Sequence, residues 1–87
     1  MPQTLEISAW IVQLRDADGV VLDRKELPVV GGAPEVAIDP IALFGVDAPG
    51  SGRVLHVRRE DGTETLFPCD RPRPIYFHRF DPRRLVR

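Results

Sequence analysis

Apolar and polar residues alternate with a period of two along several short stretches of this chain, and turn residues separate the stretches. This pattern predicts β-strands, since no stretch shows the longer period of an amphipathic helix. The predicted strands are residues 4–14, 20–30, 35–38, 53–59, 63–67 and 73–80. The sequence therefore predicts an all-β fold, a small antiparallel β-sandwich or partly open barrel of about six strands.

One short helical turn is predicted between the third and fourth strands. Asp39 is suited to the N-cap, a proline follows at the first helical position, and Gly45 is suited to end the turn. The turn is expected to close one end of the core with three apolar side chains: Ile41, Leu43 and Phe44. Residues 47–52 are predicted to form a flexible loop.

The first predicted strand changes character along its length. Its early apolar residues share one face: Leu5, Ile7, Ala9 and Ile11. From Trp10 onward the second face becomes apolar as well, through Val12 and Leu14. We therefore expect a strand that is half-exposed at its start and buried on both faces later, or one that a β-bulge bends.

The sequence Asp-Ala-Asp-Gly predicts a tight turn after the first strand. A three-residue loop ending at Gly19 would pair Leu14 with Leu22, whereas a two-residue loop would place Leu14 opposite Asp23. Apolar cross-strand pairing favours the three-residue loop and its register. Pro28 indicates that the second strand lies at the edge of a sheet.

Residues 11–19 and 54–62 share one pattern, in which an alternating strand is followed by Arg and then by Asp-Gly. The same loop length in the second segment pairs Leu55 with Phe67. We interpret the similarity as convergence, because short hairpins commonly place Asp-Gly after an alternating strand and the sequences that follow the two turns differ.

The composition indicates one small globular domain. The chain has 87 residues, of which 43% are hydrophobic and 29% are charged. We expect residues 1–80 to form a single β domain and residues 81–87 a basic tail. No apolar run approaches the ~20 residues of a membrane span, and no signal peptide is predicted. Cys69 is the single cysteine, which fits a reducing cytoplasm.

The charge is divided unevenly along the chain. Residues 1–70 carry 12 acids and 6 bases, whereas residues 71–87 carry six arginines and the single acid Asp81. The formal net charge of −1 hides this division. The last 17 residues are therefore expected either to contact an acidic or anionic partner or to fold back onto the acidic part of their own chain.

A cysteine nucleophile is the first catalytic possibility to weigh. Cys69, the two histidines (His56 and His78) and Asp70 supply the residue types. Their spacing matches no catalytic signature, and Asp70 would raise the pKa of the neighbouring thiol. No catalytic residue is predicted, and we expect the chain not to be an enzyme.

Metal and cofactor sites are not predicted either. Two histidines and one cysteine without clustered spacing fall short of a structural zinc site. Asp16 and Asp18 are spaced as in a calcium loop, but the later oxygen ligands are missing. No glycine-rich phosphate-binding loop is present.

The last predicted strand and its flanks form the candidate partner-binding segment. Ile75 and Phe77 are expected to point into the core, and the aromatic and histidine side chains between and after them away from it. The predicted partner-binding residues are Arg71, Arg73, Tyr76, His78, Arg79, Phe80, Arg83, Arg84 and Arg87.

Two functions fit this segment. The leading prediction is a non-enzymatic protein-interaction module, a subunit or adaptor in a bacterial-type cytosolic assembly. It would bind a protein partner or copies of itself through this segment and through its strand edges. The alternative is a small β-barrel that binds single-stranded nucleic acid, because arginines compensate phosphates and aromatic rings stack on bases. The balanced total charge favours the protein partner. No stretch carries a motif specific enough to indicate a family.

Overall fold

The computed structural model describes residues 7–31 and 33–78. Within them, the elements in chain order are β1 (Ile7–Arg15), β2 (Val21–Val30), β3 (Glu35–Ile38), α1 (Pro40–Phe44), β4 (Val54–Arg58), β5 (Glu64–Pro68) and β6 (Ile75–His78). Four strands form one antiparallel sheet in the order β2-β1-β4-β5, and β3 pairs with β6 in a second antiparallel sheet. The predicted all-β class is confirmed.

Aromatic contacts join the two sheets. The Phe77 ring of β6 meets the Trp10 ring of β1 edge to face, with ring centroids 5.2 Å apart, and the Phe67 ring of β5 at 4.8 Å. Trp10 is fully buried, and its Nε1 donates a hydrogen bond of 3.1 Å to Glu60 Oε2 in the β4–β5 turn. The buried apolar side chains are Trp10, Val12, Leu14, Val29, Val36, Ile38, Ala48, Leu55, Val57, Cys69 and Phe77.

Strand β1 turns one face into this core. The inner face carries Trp10, Val12 and Leu14. Pairing with β4 fixes this choice, because Leu14 lies opposite Leu55 and so shares its face of the sheet. The apolar face predicted at the start of the strand is exposed instead, since Ile7 is 65% exposed. Ile11 on that face is only half-buried, and Leu5 lies outside the described residues.

The turn between β1 and β2 is the predicted three-residue loop. The Asp16 amide donates to the Val20 carbonyl over 3.0 Å, and Gly19 adopts a φ of +84°. The carboxylate of Asp16 accepts hydrogen bonds from the amides of Asp18 and Val20, both at 2.9 Å. The carboxylate therefore satisfies amides that the turn leaves without a strand partner.

The register predicted for this hairpin is wrong. Leu14 lies opposite Asp23 rather than Leu22, and Arg15 lies opposite Val21. Leu22 is thus an extra residue on β2, a β-bulge that joins a three-residue loop to the register of a two-residue loop. The strand is continuous and lies at the sheet edge, as its proline indicated.

The core explains the observed register. Leu27 lies opposite Trp10 and Val29 opposite Ser8, so these two apolar side chains of β2 face the second sheet. The predicted register would have paired Leu27 with Ala9 and turned both side chains to the outside, because a shift of one residue exchanges the two faces of a strand.

The β4–β5 hairpin has the predicted register. Leu55 lies opposite Phe67, and the turn closes with an Arg59 amide to Thr63 carbonyl bond of 2.9 Å. Gly62 takes the left-handed position with a φ of +87°. This hairpin needs no bulge, because the register set by its loop length already places the apolar residues of β4 and β5 on the same face.

The predicted helix caps are confirmed. Asp39 Oδ1 accepts a 3.0 Å hydrogen bond from the Ile41 amide, and the Gly45 amide closes the turn on the Ile41 carbonyl at 2.8 Å with a φ of +103°. Leu43 and Phe44 pack against the core as expected, and all three apolar side chains of the turn are half-buried. No helix in the described part of the chain is long and apolar enough to cross a membrane.

The loop before β4, predicted to be flexible, is held by hydrogen bonds. Arg53 Nη1 donates to the carbonyl oxygens of Asp47 and Ala48, the latter at 3.0 Å. The Gly50 amide donates to the Cys69 carbonyl over 2.9 Å, and Ala48 is 2% exposed. These contacts tie the loop to the end of β5.

Candidate functional site

Strand β6 alternates between core and surface as the sequence predicted. Phe77 is buried at 9% exposure, and Ile75 packs against the core. Tyr76 between them is 54% exposed, and His78 is exposed on the same face. Because Ile75 and Phe77 anchor the strand in the core, the Tyr76 side chain is held at the surface in a fixed position.

An acid borders this aromatic face. Glu35 of β3 lies directly opposite His78, and its Oε2 is 3.4 Å from His78 Nδ1. The contact is an ion pair only when the imidazole is protonated, and both side chains are solvent-exposed. The face therefore combines an aromatic ring, a histidine and a carboxylate, and is not uniformly basic.

A tight turn presents the two described arginines of the candidate segment. The Arg73 amide donates to the Arg71 carbonyl over 2.9 Å, which closes a three-residue γ-turn around Pro72. Proline suits the centre of such a turn because its ring fixes φ near −65°. Both side chains are exposed, and neither forms an ion pair within residues 7–31 and 33–78.

Next to this turn lies a pocket of about 360 Å³. Its lining residues are Pro40, Phe67, Pro68, Cys69, Asp70, Arg71, Arg73 and Ile75. The buried and half-buried lining residues are apolar, and the exposed ones include the two arginines and a single acid, Asp70, so the formal charge of the lining is positive. The pocket suits an apolar side chain that is accompanied by a carboxylate.

Five of the predicted partner-binding residues lie outside the described residues. They are Arg79, Phe80, Arg83, Arg84 and Arg87. Their roles, and the separation of residues 81–87 as a basic tail, stay predictions from the sequence.

The Cys69 thiol is buried directly after β5. It is 2% exposed, and its Sγ donates to the Ala48 carbonyl at 3.9 Å. Burial raises the pKa of the thiol, Arg53 lowers it, and Asp70 raises it in the direction predicted from the sequence. The net upward shift disfavours the reactive thiolate.

His56, the histidine on β4, contacts a glutamate rather than Cys69. His56 Nε2 lies 2.6 Å from Glu64 Oε1 on the outer face of the four-stranded sheet, whereas the Cys69 side chain is buried in the core. Among the residues that the structure describes, no three His, Cys, Asp or Glu side chains are grouped to hold a metal ion.

Sequence reasoning missed one exposed apolar strip. Val20, Val21 and Leu22 are 55%, 45% and 46% exposed at the tip of the first hairpin. The predicted pairing of Leu14 with Leu22 would have buried part of this strip. In a regular strand, consecutive residues point to opposite faces, and one face is normally buried. Here the bulge at Leu22 and the position at the sheet edge leave all three side chains accessible.

No protein-family model, curated protein or solved structure matches the chain. Its function is therefore inferred from the geometry and chemistry of the described residues.

Proposed function

We propose that this chain is a non-enzymatic protein-interaction module, a subunit or adaptor of a cytoplasmic assembly. Its partner-binding surface consists of the exposed face of β6 and the arginine-rich sequence on both sides of it. In the described part of the chain this surface comprises Arg71, Arg73, Tyr76 and His78.

The observation that carries the proposal is the exposure of Tyr76 on a strand whose other face is anchored in the core. Tyr76 is 54% exposed between the core residues Ile75 and Phe77. Tyrosine and arginine are enriched where protein interfaces concentrate their binding energy. A ring held by a strand also loses little conformational freedom on binding, so more of its contact energy is retained.

The charges beside Tyr76 favour a protein over a nucleic acid. Glu35 pairs with His78 on the same side of the two-stranded sheet, and Asp70 lies beside Arg71. Carboxylates at these positions would repel phosphates, whereas a protein partner can match both signs of charge. The formal net charge of −1 supports the same choice.

Capture from the native host tests the proposal. The tagged full chain is compared with a Tyr76→Ala/Arg73→Ala variant and with a variant that lacks residues 81–87, and co-purified proteins are quantified by mass spectrometry. We expect both variants to lose at least about tenfold of a specific partner, because truncation of interface anchors typically costs more than 1 kcal/mol each.

The matched control is Leu66→Ala/Arg58→Ala, which removes an exposed apolar side chain and an exposed arginine from the four-stranded sheet. Capture that is equally reduced in this control, or unchanged in the test variants, would contradict the proposal. Binding of a labelled single-stranded oligonucleotide that weakens steeply between low and moderate salt would support the nucleic-acid alternative instead.

A further inference from the structure

The tip of the first hairpin is apolar and acidic at once. Residues 16–23 contain three aspartates and no basic residue. Between Asp18 and Asp23, both exposed, lies the strip of Val20, Val21 and Leu22, each about half exposed. Exposed apolar residues in a row on a sheet edge are unfavourable in water and are typical of surfaces that another molecule covers.

The pocket beside the γ-turn has the complementary properties. The half-buried side chains of Phe67 and Ile75 line it together with the exposed arginines, Arg71 and Arg73. An apolar side chain of the hairpin tip would pack against Phe67 and Ile75, and an aspartate beside it would meet the arginines. The volume of about 360 Å³ is sufficient for one or two aliphatic side chains.

The tip and the pocket lie on opposite edges of the same end of the sheet. Val21 pairs with Arg15, Arg15 with Val54, and Val54 with Pro68, which lines the pocket. Strands lie ~4.8 Å apart, so about 14 Å separates β2 from β5 in this row. Val21 and Asp23 of the tip are paired with β1, so at this distance the tip does not reach the pocket of its own molecule, but it can reach that of a neighbour.

We propose that the hairpin tip of one copy, residues 16–23, docks into the pocket of a second copy. This inference rests on the proposed function, since it names a further copy of the chain as one partner of the Arg71–Arg73 surface. Such a contact joins two different surfaces, so it is heterologous and can continue from one copy to the next. Its small area makes it weak, and it forms at high local concentration.

Sedimentation velocity of the purified full chain tests the inference. The average mass of the wild type should rise from about 10 µM upward and should exceed that of a dimer. The rise should be smaller in high salt. A tip variant, Asp18→Asn/Leu22→Ser, and a pocket variant, Arg71→Glu/Arg73→Glu, should each raise the apparent dissociation constant at least about tenfold. All four substituted side chains are exposed, so the fold should persist, which circular dichroism checks.

The decisive measurement is an equal mixture of the two variants. Each retains one intact surface, so the mixture should form a 1:1 dimer that does not grow, while either variant alone stays monomeric. An Arg58→Glu variant, altered on the outer face of the four-stranded sheet, should associate like the wild type.

A wild type that stays monomeric at about 0.5 mM, or a mixture that fails to dimerise, would overturn the inference. If the purified chain is monomeric but the pocket variant loses a partner captured from the host, the proposed function stands and only the self-docking is wrong. If the purified chain associates as described but no partner is captured, the self-docking stands without a further protein partner.

Discussion

Gln13 of β1 lies directly opposite His56 of β4, and the two residues also occupy the same position in the two similar segments, 11–19 and 54–62. A two-fold rotation that exchanges β1 with β4 also exchanges β2 with β5. The order β2-β1-β4-β5 is therefore the same read from either edge of the sheet. The second sheet pairs β3, which follows the first hairpin, with β6, which follows the second. Each half of the described chain thus contributes one hairpin and one strand of the second sheet.

Two loop glycines, Gly52 and Gly62, should differ in their tolerance of a side chain. Gly52 and Gly62 both have a left-handed φ, +77° and +87°, but a Cβ on Gly52 would lie 2.8 Å from the Cβ of Ala17, whereas one on Gly62 meets nothing within 4 Å. Gly62→Ala should therefore cost about 1–2 kcal/mol, for backbone strain alone. Gly52→Ala should cost about 1 kcal/mol more, because the hairpin tip must shift. Urea unfolding followed by Trp10 fluorescence measures both, and equal losses would contradict the close approach of the hairpin tip to the loop.

Neighbouring aromatic residues on β6 should respond differently to replacement by leucine. Phe77→Leu removes edge-to-face contacts with Trp10 and Phe67 and should lower the free energy of unfolding by about 1–2 kcal/mol. Tyr76→Leu alters an exposed side chain and should change it by less than about 0.5 kcal/mol. Comparable losses in the two variants would show that the assignment of the two faces is wrong.

Local chemistry made much of this fold predictable. Asp39 and Gly45 are cap residues that act within one helical turn, and Leu55 and Phe67 pair across a short loop whose length fixes their register. The alternation of Ile75, Tyr76 and Phe77 likewise predicts which side chains of β6 the core takes, because a strand with one buried face must alternate.

Non-local packing decided what the sequence did not predict. The register of the first hairpin depends on Leu27 lying opposite Trp10 on the core face, and the bulge at Leu22 is the consequence. Neither the register nor the bulge can be predicted from the hairpin sequence alone, because within the hairpin the pairing of Leu14 with Leu22 is as favourable as the observed pairing. The pocket was missed for the same reason, since α1, β5 and β6 build it together.

Cys69 should react slowly in the folded protein. Burial raises the pKa of its thiol, so the thiolate fraction near neutral pH is small and the sulfur is covered. Alkylation by iodoacetamide at about pH 7.5, followed by mass spectrometry, should be at least about tenfold slower in the native protein than in urea. A native rate equal to or faster than the unfolded rate would contradict this environment and would reopen the possibility of a cysteine nucleophile.

The same shift predicts how stability depends on alkaline pH. A folded-state pKa above the unfolded value favours the folded state fully below the pKa of the unfolded thiol, and this contribution is lost as the pH rises through the higher folded pKa. The free energy of unfolding should therefore decline above about pH 8.5. Cys69→Ala should remove the part of this decline that belongs to the thiol, and an unchanged slope in that variant would show that other groups cause it.

Both outer strands of the four-stranded sheet carry a proline at their free edge. The Cys69 amide donates to the Arg53 carbonyl on the β4 side, so the nitrogen of the preceding Pro68 points away from the sheet. On β2 the Arg24 amide donates a 2.7 Å hydrogen bond to the carboxylate of Asp23, on the free side of the strand. Pro28 lies four residues further on, so its nitrogen points to the same free side, where it has no N–H to offer. Each edge thus offers fewer donors to an incoming strand.

Replacing the two edge prolines should promote edge-to-edge aggregation. Pro28→Val/Pro68→Val adds two N–H donors and two residues that favour β-structure at exposed positions, so an incoming strand gains hydrogen bonds on either side of the sheet. Thioflavin fluorescence and light scattering in about 0.5 M NaCl, where charge-based association is screened, should rise at least about threefold over the wild type. Pro34→Val, which adds an N–H outside any strand, is the matched control. If the control aggregates as much as the double variant, the edge prolines do not protect the sheet, and the free N–H groups of β2 and β5 are shielded in another way.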